Sequence, residues 1–201
     1  MAIKLYHDVP STNCDRVKIV LAEKGLAWES IWVKLGKMEQ KSPEHLQRNP
    51  YGKIPVIDDD GKLLFESCII NEYLDEKYPN PPLMPKDPAK RAKARILIDY
   101  GMGHFDAPYQ RLRMELIKDA KEQNQQVIAT AKAELKKLLQ RLEDEIGEQQ
   151  FLLGDFSLVD ADLLPRFTRL EGFGVLPDPS LPRLGKYLER VKARPSVRPI
   201  L

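Results

Sequence analysis

The segment Ser11-Thr12-Asn13-Cys14 places a hydroxyl, an amide and a thiol within one helical turn. It follows an alternating strand pattern over residues 3–6 and opens a helix pattern that ends at Gly25. The first backbone N–H groups of a helix are free and partly positive, so an anion beside Ser11 would be stabilised. Ser11 is also a typical helix N-cap, and capping without chemistry is the alternative interpretation.

The elements that must position this turn form a βαβ unit, a short helix and a ββα unit. A second strand is predicted at 28–33, a short helix from Ser42, strands at 55–57 and 62–65, and a helix from Glu66. The apolar face of that last helix is expected at Ile69, Ile70, Tyr73 and Leu74. A helical crossover makes the first two strands parallel, and the hairpin adds antiparallel strands. This order predicts a thioredoxin-like α/β domain over residues 1–79.

Residues 79–88 hold five prolines, which excludes a helix or a central strand. We therefore predict a stiff linker over residues 80–88 and an all-helical domain over 89–201. Long helices are expected from Ala89 to about Lys118 and from Asn124 to Ile146. Ser157 and Asp160 have the spacing of a capping box, and Pro165 predicts a kink or tight turn in the helix that follows.

Composition limits the class of protein. The net charge of +2 is too small to indicate a nucleic-acid partner. No apolar run is long enough to span a membrane, and the N-terminus lacks a signal-peptide layout, which predicts a cytoplasmic protein. Cys14 and Cys68 make no disulfide framework, and His7, His45 and His104 have no metal-ligand spacing, so no metal is expected.

Four motifs stand out along the chain. They are Ser11-Thr12-Asn13-Cys14-Asp15-Arg16-Val17, Asn49-Pro50-Tyr51-Gly52-Lys53-Ile54-Pro55, Glu66-Ser67 and Phe156-Ser157-Leu158-Val159-Asp160. Together they resemble the glutathione transferase superfamily, and the resemblance covers essentially the whole chain. The first motif is most similar to the serine-type phi, zeta and theta classes, because serine and not tyrosine stands at position 11.

The resemblance implies an enzyme that conjugates glutathione, its co-substrate, to small hydrophobic electrophiles in detoxification. Thioredoxin-like redox proteins carry Cys-x-x-Cys at the first turn, and here Ser11 replaces the nucleophilic cysteine. Ser11 would then donate a hydrogen bond to the glutathione thiolate. Lowering the pKa of a thiol by about 2 units takes roughly 2.7 kcal/mol, which one charge-assisted hydrogen bond and a helix end can supply.

The resemblance also assigns the other ends of the tripeptide. Ile54 would pair with its peptide backbone, and Pro55 would be the family's cis-proline. Glu66 would bind the γ-glutamyl ammonium and Ser67 the γ-glutamyl carboxylate. The remaining glutathione-binding candidates, the last three of them for the glycine carboxylate, are Asn13, Lys41, Lys53 and Gln40.

Two further assignments concern the acceptor and the dimer. Phe105 and Tyr109 belong to a loose apolar stripe that would face the electrophile, although core packing explains such a stripe more often than a pocket does. Tyr51 would insert into a second subunit, so the resemblance implies a homodimer. The alternative for Tyr51 is an exposed loop aromatic.

Two rival functions share the fold. Residues 16–25, 72–85 and 156–160 also resemble stringent starvation protein A, which binds RNA polymerase and is not known for conjugating activity. In that case residues 79–82 would form the protein-binding surface. A maleylacetoacetate isomerase would use the same glutathione site, but its Ser-Ser-Cys pattern is not matched by Ser11-Thr12-Asn13.

Overall fold

The structure, a computed structural model, describes residues 2–200 and contains two compact units. The first unit extends to Met84 and includes the segment from Pro195 onward, whereas the second extends from Pro85 to Arg194. The sequence had placed the last segment in the helical domain. Its Ser196 hydroxyl hydrogen-bonds the Glu23 carboxylate, a contact across the length of the chain that no periodicity encodes.

The sheet of the first unit has the order β2-β1-β3-β4, which confirms the predicted thioredoxin-like arrangement. Its strands are β1 (Ile3–His7), β2 (Trp28–Trp32), β3 (Val56–Asp59) and β4 (Lys62–Phe65). β1 runs parallel to β2 and antiparallel to β3, and β3 and β4 form the hairpin. Fully buried Leu5 and Ile57 stand opposite each other on β1 and β3, so the core lies under the central strands.

Three α-helices complete the first unit, α1 (Thr12–Glu23), α2 (Pro43–Arg48) and α3 (Ser67–Lys77), with two short 3-10 turns at Leu35–Lys37 and Glu39–Lys41. The sequence was wrong about Ile69, which is 60% exposed. The buried face of α3 carries Ile70 and Leu74 together with the polar Asn71 and Asp75. Helical spacing favoured the apolar side chains, and it could not show that the polar ones have buried partners.

The buried Asp75 fixes the proline-rich segment to α3 through hydrogen bonds. Its Oδ1 accepts from Lys24 Nζ at 2.7 Å and from the backbone N–H of Leu83 at 2.8 Å. The same lysine, whose side chain is fully buried, also donates to the carbonyls of Tyr78 and Pro81. A buried ion pair is tolerated when its remaining donors and acceptors are satisfied, as they are here.

The second unit consists of α4 (Pro88–Leu116), α5 (Gln125–Ile146), α6 (Leu158–Gly172) and α7 (Pro182–Lys192). α4 and α6 approach closely at Gly101, where an added Cβ would lie 1.9 Å from Leu163 Cδ2. Pro165 lies inside α6 without ending it. Within residues 2–200, no helix is both long and apolar enough to cross a membrane.

The predicted capping box at the start of α6 is confirmed. Asp160 Oδ2 accepts from the Ser157 backbone N–H at 2.8 Å and from the Ser157 hydroxyl at 2.9 Å. Its other oxygen accepts from the backbone N–H of Leu152. Complete burial raises the pKa of Asp160 to about 6, although these hydrogen bonds oppose the rise.

Candidate functional site

A small polar pocket in the first unit collects side chains from three separate segments. They are the start of α1, the loop that precedes β3 and the start of α3. Six of its seven lining residues are among the candidates from the sequence, and Asn49 is the addition. The lining consists of Asn13, Asn49, Lys53, Ile54, Pro55, Glu66 and Ser67.

Ser11 is the N-cap of α1, at the edge of this region. Its backbone is extended, and its Oγ accepts from the Cys14 backbone N–H at 3.4 Å. A serine hydroxyl has a second lone pair and one proton, so capping leaves it able to donate to another acceptor. The half-buried Ser11 can therefore combine the two roles that the sequence offered as alternatives.

Cys14 faces the core one turn further along α1. Its side chain is fully buried, and burial raises the pKa of the thiol, although a hydrogen bond with Ser11 counteracts part of the effect. A thiol of raised pKa carries little thiolate at neutral pH and is a poor nucleophile. The group that caps α1 is the Ser11 hydroxyl and not the Cys14 thiol.

Arg16 places a buried positive charge between α1 and α3. Its Nη1 donates to Asn13 Oδ1 at 2.7 Å and to Ser67 Oγ at 3.5 Å, so one guanidinium contacts two residues of the pocket lining. The residue is only 2% exposed. Arg16 belongs to the first sequence motif, but the sequence indicates no role for it, because its partner Ser67 on α3 lies 51 residues away.

Glu66 precedes α3 in an unusual backbone conformation. Its φ of 70° and ψ of 110° lie where side chains other than glycine are rarely found. Such strain costs about 1–3 kcal/mol and persists where the surrounding structure enforces it. Glu66 does not cap α3 with its side chain, which is exposed. The carboxylate is therefore available to a ligand at the start of α3.

The loop between α2 and β3 is fixed by two hydrogen bonds to one carbonyl. Lys53 O accepts from His45 Nε2 and from Asn49 Nδ2, each at 2.9 Å. His45 and Asn49 are both buried, and the Ile54–Pro55 peptide that follows is cis. Neither donor is among the residues that the sequence pattern indicated. The one sequence feature that could have indicated them is their position eight and four residues before Lys53, close enough for hydrogen bonds within one loop.

Gln40 and Lys41 do not line the pocket. Lys41 Nζ donates to the Tyr51 carbonyl at 3.2 Å, and Gln40 Nε2 contacts the sulfur of Met38. Lys41 and Gln40 are held close to the loop at Gly52, where an added Cβ would lie 2.8 Å from Lys41 Nζ. Their assignment to a ligand stays a prediction.

The two acceptor candidates lie in the core of the second unit. Phe105 is fully buried, with Tyr100 and Phe167 ring centroids 5.8 and 6.1 Å away. Tyr109 is 8% exposed and packs against Phe173. These positions match the core-packing alternative for the apolar stripe. Neither ring presents a broad surface within its own unit.

The dimer contact at Tyr51 and the expected absence of a metal are two separate expectations. Tyr51 is 59% exposed, with its ring centroid 5.3 Å from that of Phe65 in an edge-to-face arrangement, so the side chain is available for a contact. In residues 2–200, no group of three or more His, Cys, Asp or Glu side chains is arranged to hold a metal ion. Both expectations stay predictions.

Family models cover nearly all of this fold. Residues 1–76 match the model described as glutathione S-transferase, N-terminal domain, and residues 88–195 match glutathione S-transferase, C-terminal domain. The chain belongs to the glutathione S-transferase family. The boundary between the two matches falls in the proline-rich segment, as does the division of the structure into two units.

Relatives of this family member have several different names. A stringent starvation protein A homolog of Histophilus somni is 32% identical, with 96% of this chain and 86% of the relative covered. A maleylacetoacetate isomerase of Pseudomonas aeruginosa is 33% identical, with coverage of 98% and 94%. A glutathione transferase structure from Burkholderia graminis, with two glutathione molecules bound per subunit, has a TM-score of 0.87 at 30% identity, covering 99% of this chain and 87% of that one.

Proposed function

We propose that this glutathione S-transferase family member binds glutathione in the polar pocket and stabilises its thiolate beside Ser11 for conjugation to a small hydrophobic electrophile. The observation that carries the proposal is the pocket itself. The starts of α1 and α3 and the loop with the cis Ile54–Pro55 peptide meet there. Two helix N-termini and a backbone edge suit an anionic tripeptide.

The γ-glutamyl end of glutathione carries one carboxylate and one ammonium group. The start of α3 supplies the matching partners: the Ser67 hydroxyl and backbone N–H for the carboxylate, and the exposed Glu66 carboxylate for the ammonium. The buried Arg16 guanidinium, next to Ser67, adds positive charge on the carboxylate side. Charge-assisted hydrogen bonds at both groups would orient this end of the ligand.

The middle and the glycine end would occupy the loop side of the pocket. The Ile54 backbone would pair with the cysteinyl peptide unit, and the Asn13 side chain, oriented by Arg16, would contact the ligand from α1. Lys53 Nζ makes no hydrogen bond or ion pair with any described residue, so it is available for the glycine carboxylate. Lys41 and Gln40 would contribute from the rim.

The chemical step needs a thiolate, not a base. The Ser11 hydroxyl would donate to the cysteinyl sulfur, and the N-terminal dipole of α1 would stabilise the negative charge. Both effects favour the ionised thiol and lower its pKa. Phe105 is fully buried, so Tyr109, which is 8% exposed, is the remaining candidate for contact with the electrophile. The exposed Tyr51 is the proposed contact of a homodimer.

Calorimetric titration of the chain with glutathione tests the proposal, followed by turnover with an activated aryl halide. We expect saturable binding in the micromolar to millimolar range and a rate above that of free glutathione. Ser67→Ala should weaken binding, whereas the matched variant Ser180→Ala in the second unit should not. Absence of glutathione binding would refute the proposal.

A second candidate function follows from the relatives. The stringent starvation protein A homolog is as similar to this chain as the isomerase is, so association with RNA polymerase is an alternative to conjugation. Capture of RNA polymerase by the chain, with no glutathione binding, would favour that alternative. Turnover of maleylacetoacetate with glutathione bound would instead favour the isomerase function.

A further inference from the structure

The end of the chain is much more basic than the rest of it. From Pro182 onward there are six Lys or Arg residues and one acidic residue, Glu189, a net charge of +5. The preceding 181 residues hold 26 basic and 29 acidic residues, a net charge of −3. A concentration of positive charge in one segment indicates attraction for an anion.

Three of these cations lie on one face of α7. Arg183, Lys186 and Arg190 are three and four residues apart, which places them on the same side of a helix. They border a cavity of about 130 Å³ whose opposite wall is the loop from Gly147 to Gln150. All of these residues belong to the second unit, so the cavity is independent of the proposed glutathione pocket.

The cations in this cavity are poorly neutralised. Arg190 donates to the Gln150 carbonyl at 3.1 Å and to the Gln149 carbonyl at 3.4 Å, which are uncharged acceptors. Lys186 has no hydrogen-bond or ion-pair partner in the part of the chain that the structure describes. Arg183 pairs with Glu148 at 3.1 Å, but that carboxylate is 91% exposed. An exposed pair of this kind contributes little and is readily exchanged.

The start of α7 does not itself provide the site. The backbone N–H groups of Arg183 and Leu184, which have no partner within the helix, donate to the two carboxylate oxygens of Glu143, at 3.0 and 2.7 Å. Glu143 is buried, so this helix end is already satisfied. The unsatisfied positive charge is therefore that of the side chains.

The loop wall is shaped for close approach. Gly147 ends α5 with φ 51° and ψ −127°, a backbone conformation that a side chain would disfavour. The Gln149 and Gln150 carbonyls on this loop accept hydrogen bonds from the Arg190 guanidinium and fix it in place. A fixed guanidinium loses less conformational freedom when it binds a ligand than a mobile one does.

We propose that this cavity is a binding site for a dianionic phosphate group. Three cations and one carboxylate leave a net charge of about +2, which matches a phosphate monoester or inorganic phosphate at neutral pH. The planar guanidinium groups can bind two phosphate oxygens each, and Lys186 supplies a compact third cation. The volume admits a phosphate group but not a large ligand.

Calorimetry with inorganic phosphate, and with phenyl phosphate as a monoester, at constant ionic strength tests this site. We expect saturable binding of at least one of them. Lys186→Gln should weaken it at least about tenfold, because the substitution removes a charge-assisted hydrogen bond to the phosphate. Lys186→Arg should retain binding. Tighter binding of phenyl phosphate than of inorganic phosphate would identify the ligand as an ester.

The matched control is Lys121→Gln, which removes another exposed lysine, on the loop between α4 and α5. Glutathione affinity should be unchanged in every variant. The proposal is overturned if neither phosphate binds saturably to the wild-type chain. It is also overturned if Lys186→Gln and Lys121→Gln bind phosphate equally well.

Discussion

Arg16 Nη1 lies 2.7 Å from Asn13 Oδ1, one helical turn back along α1, and the same nitrogen contacts Ser67 on α3. A single buried guanidinium thus links the two helix starts that border the polar pocket. The arrangement orients the Asn13 amide and places positive charge beside the proposed γ-glutamyl carboxylate. The glutathione proposal therefore depends on Arg16, which does not itself line the pocket.

Arg16→Lys should weaken glutathione binding about tenfold, the cost of losing a hydrogen bond to a charged group. An ammonium group cannot reproduce the planar fork that contacts two partners. The dissociation constant is measured by calorimetry, with urea unfolding to verify the fold. Arg91→Lys in the second unit is the matched control. Wild-type affinity in Arg16→Lys would show that the guanidinium has no part in binding.

Substitution of Glu66 separates strain from binding. Glu66→Gly should unfold no more readily than the wild type, because glycine adopts the positive φ of 70° without strain. Its glutathione affinity should nevertheless fall about tenfold with the loss of a charged partner for the ammonium. Glu66→Gln should show the same loss with the side-chain shape preserved. Wild-type affinity in both variants would exclude Glu66 from the site.

The role of Lys53 can be tested with an esterified ligand. Lys53→Met should weaken glutathione binding but leave the affinity for the glycine ethyl ester of glutathione unchanged, because that ester lacks the charge of the glycine carboxylate. Calorimetry with both ligands measures the difference. Lys62→Met, an exposed lysine on β4, should affect neither. An equal loss for both ligands in Lys53→Met would place the lysine elsewhere.

The buried His7 predicts a loss of stability in mild acid. Burial, and then the nearby Lys18, lower its pKa from 6.5 to about 4, so the unfolded chain binds the proton more readily. Its contribution is complete above pH 6.5 and is lost as the pH falls towards 4, with a slope of up to about 1.4 kcal/mol per pH unit.

Urea unfolding at several pH values compares His7→Gln with the exposed-histidine control His104→Gln. The slope should flatten in His7→Gln only. Asp160 acts in the opposite direction, because its pKa is raised and its contribution is lost as the pH rises from about 4 to 6. Both variants retain Asp160, so the difference between them isolates His7. Identical slopes would contradict the assignment.

The sequence predicted those parts of the site that depend on local pattern. Short-range spacing and a family resemblance were enough to predict three of them. These are the turn at Ser11, the start of α3 at Glu66-Ser67 and the capping box of Ser157 and Asp160. The family and the thioredoxin-like sheet were predicted in the same way.

Long-range hydrogen bonds account for what the sequence did not predict. Arg16 and the His45–Asn49 pair act through partners that periodicity cannot identify. Ile69 was assigned to the core because apolar spacing says nothing of the Lys24–Asp75 ion pair, which turns a polar face of α3 inward. Phe105 illustrates the same limit, since an aromatic stripe looks alike whether it lines a pocket or fills a core.

The ionisation of bound glutathione tests the central claim most directly. The ultraviolet absorbance of the thiolate, titrated with pH in the presence of the wild-type chain and of Ser11→Ala, gives the pKa of the bound thiol. Thr12→Ala, the neighbouring hydroxyl, is the control. We predict that the wild type and Thr12→Ala lower the pKa by about 2 units and that Ser11→Ala loses most of this shift. A bound thiol with the pKa of free glutathione in the wild type would contradict the account.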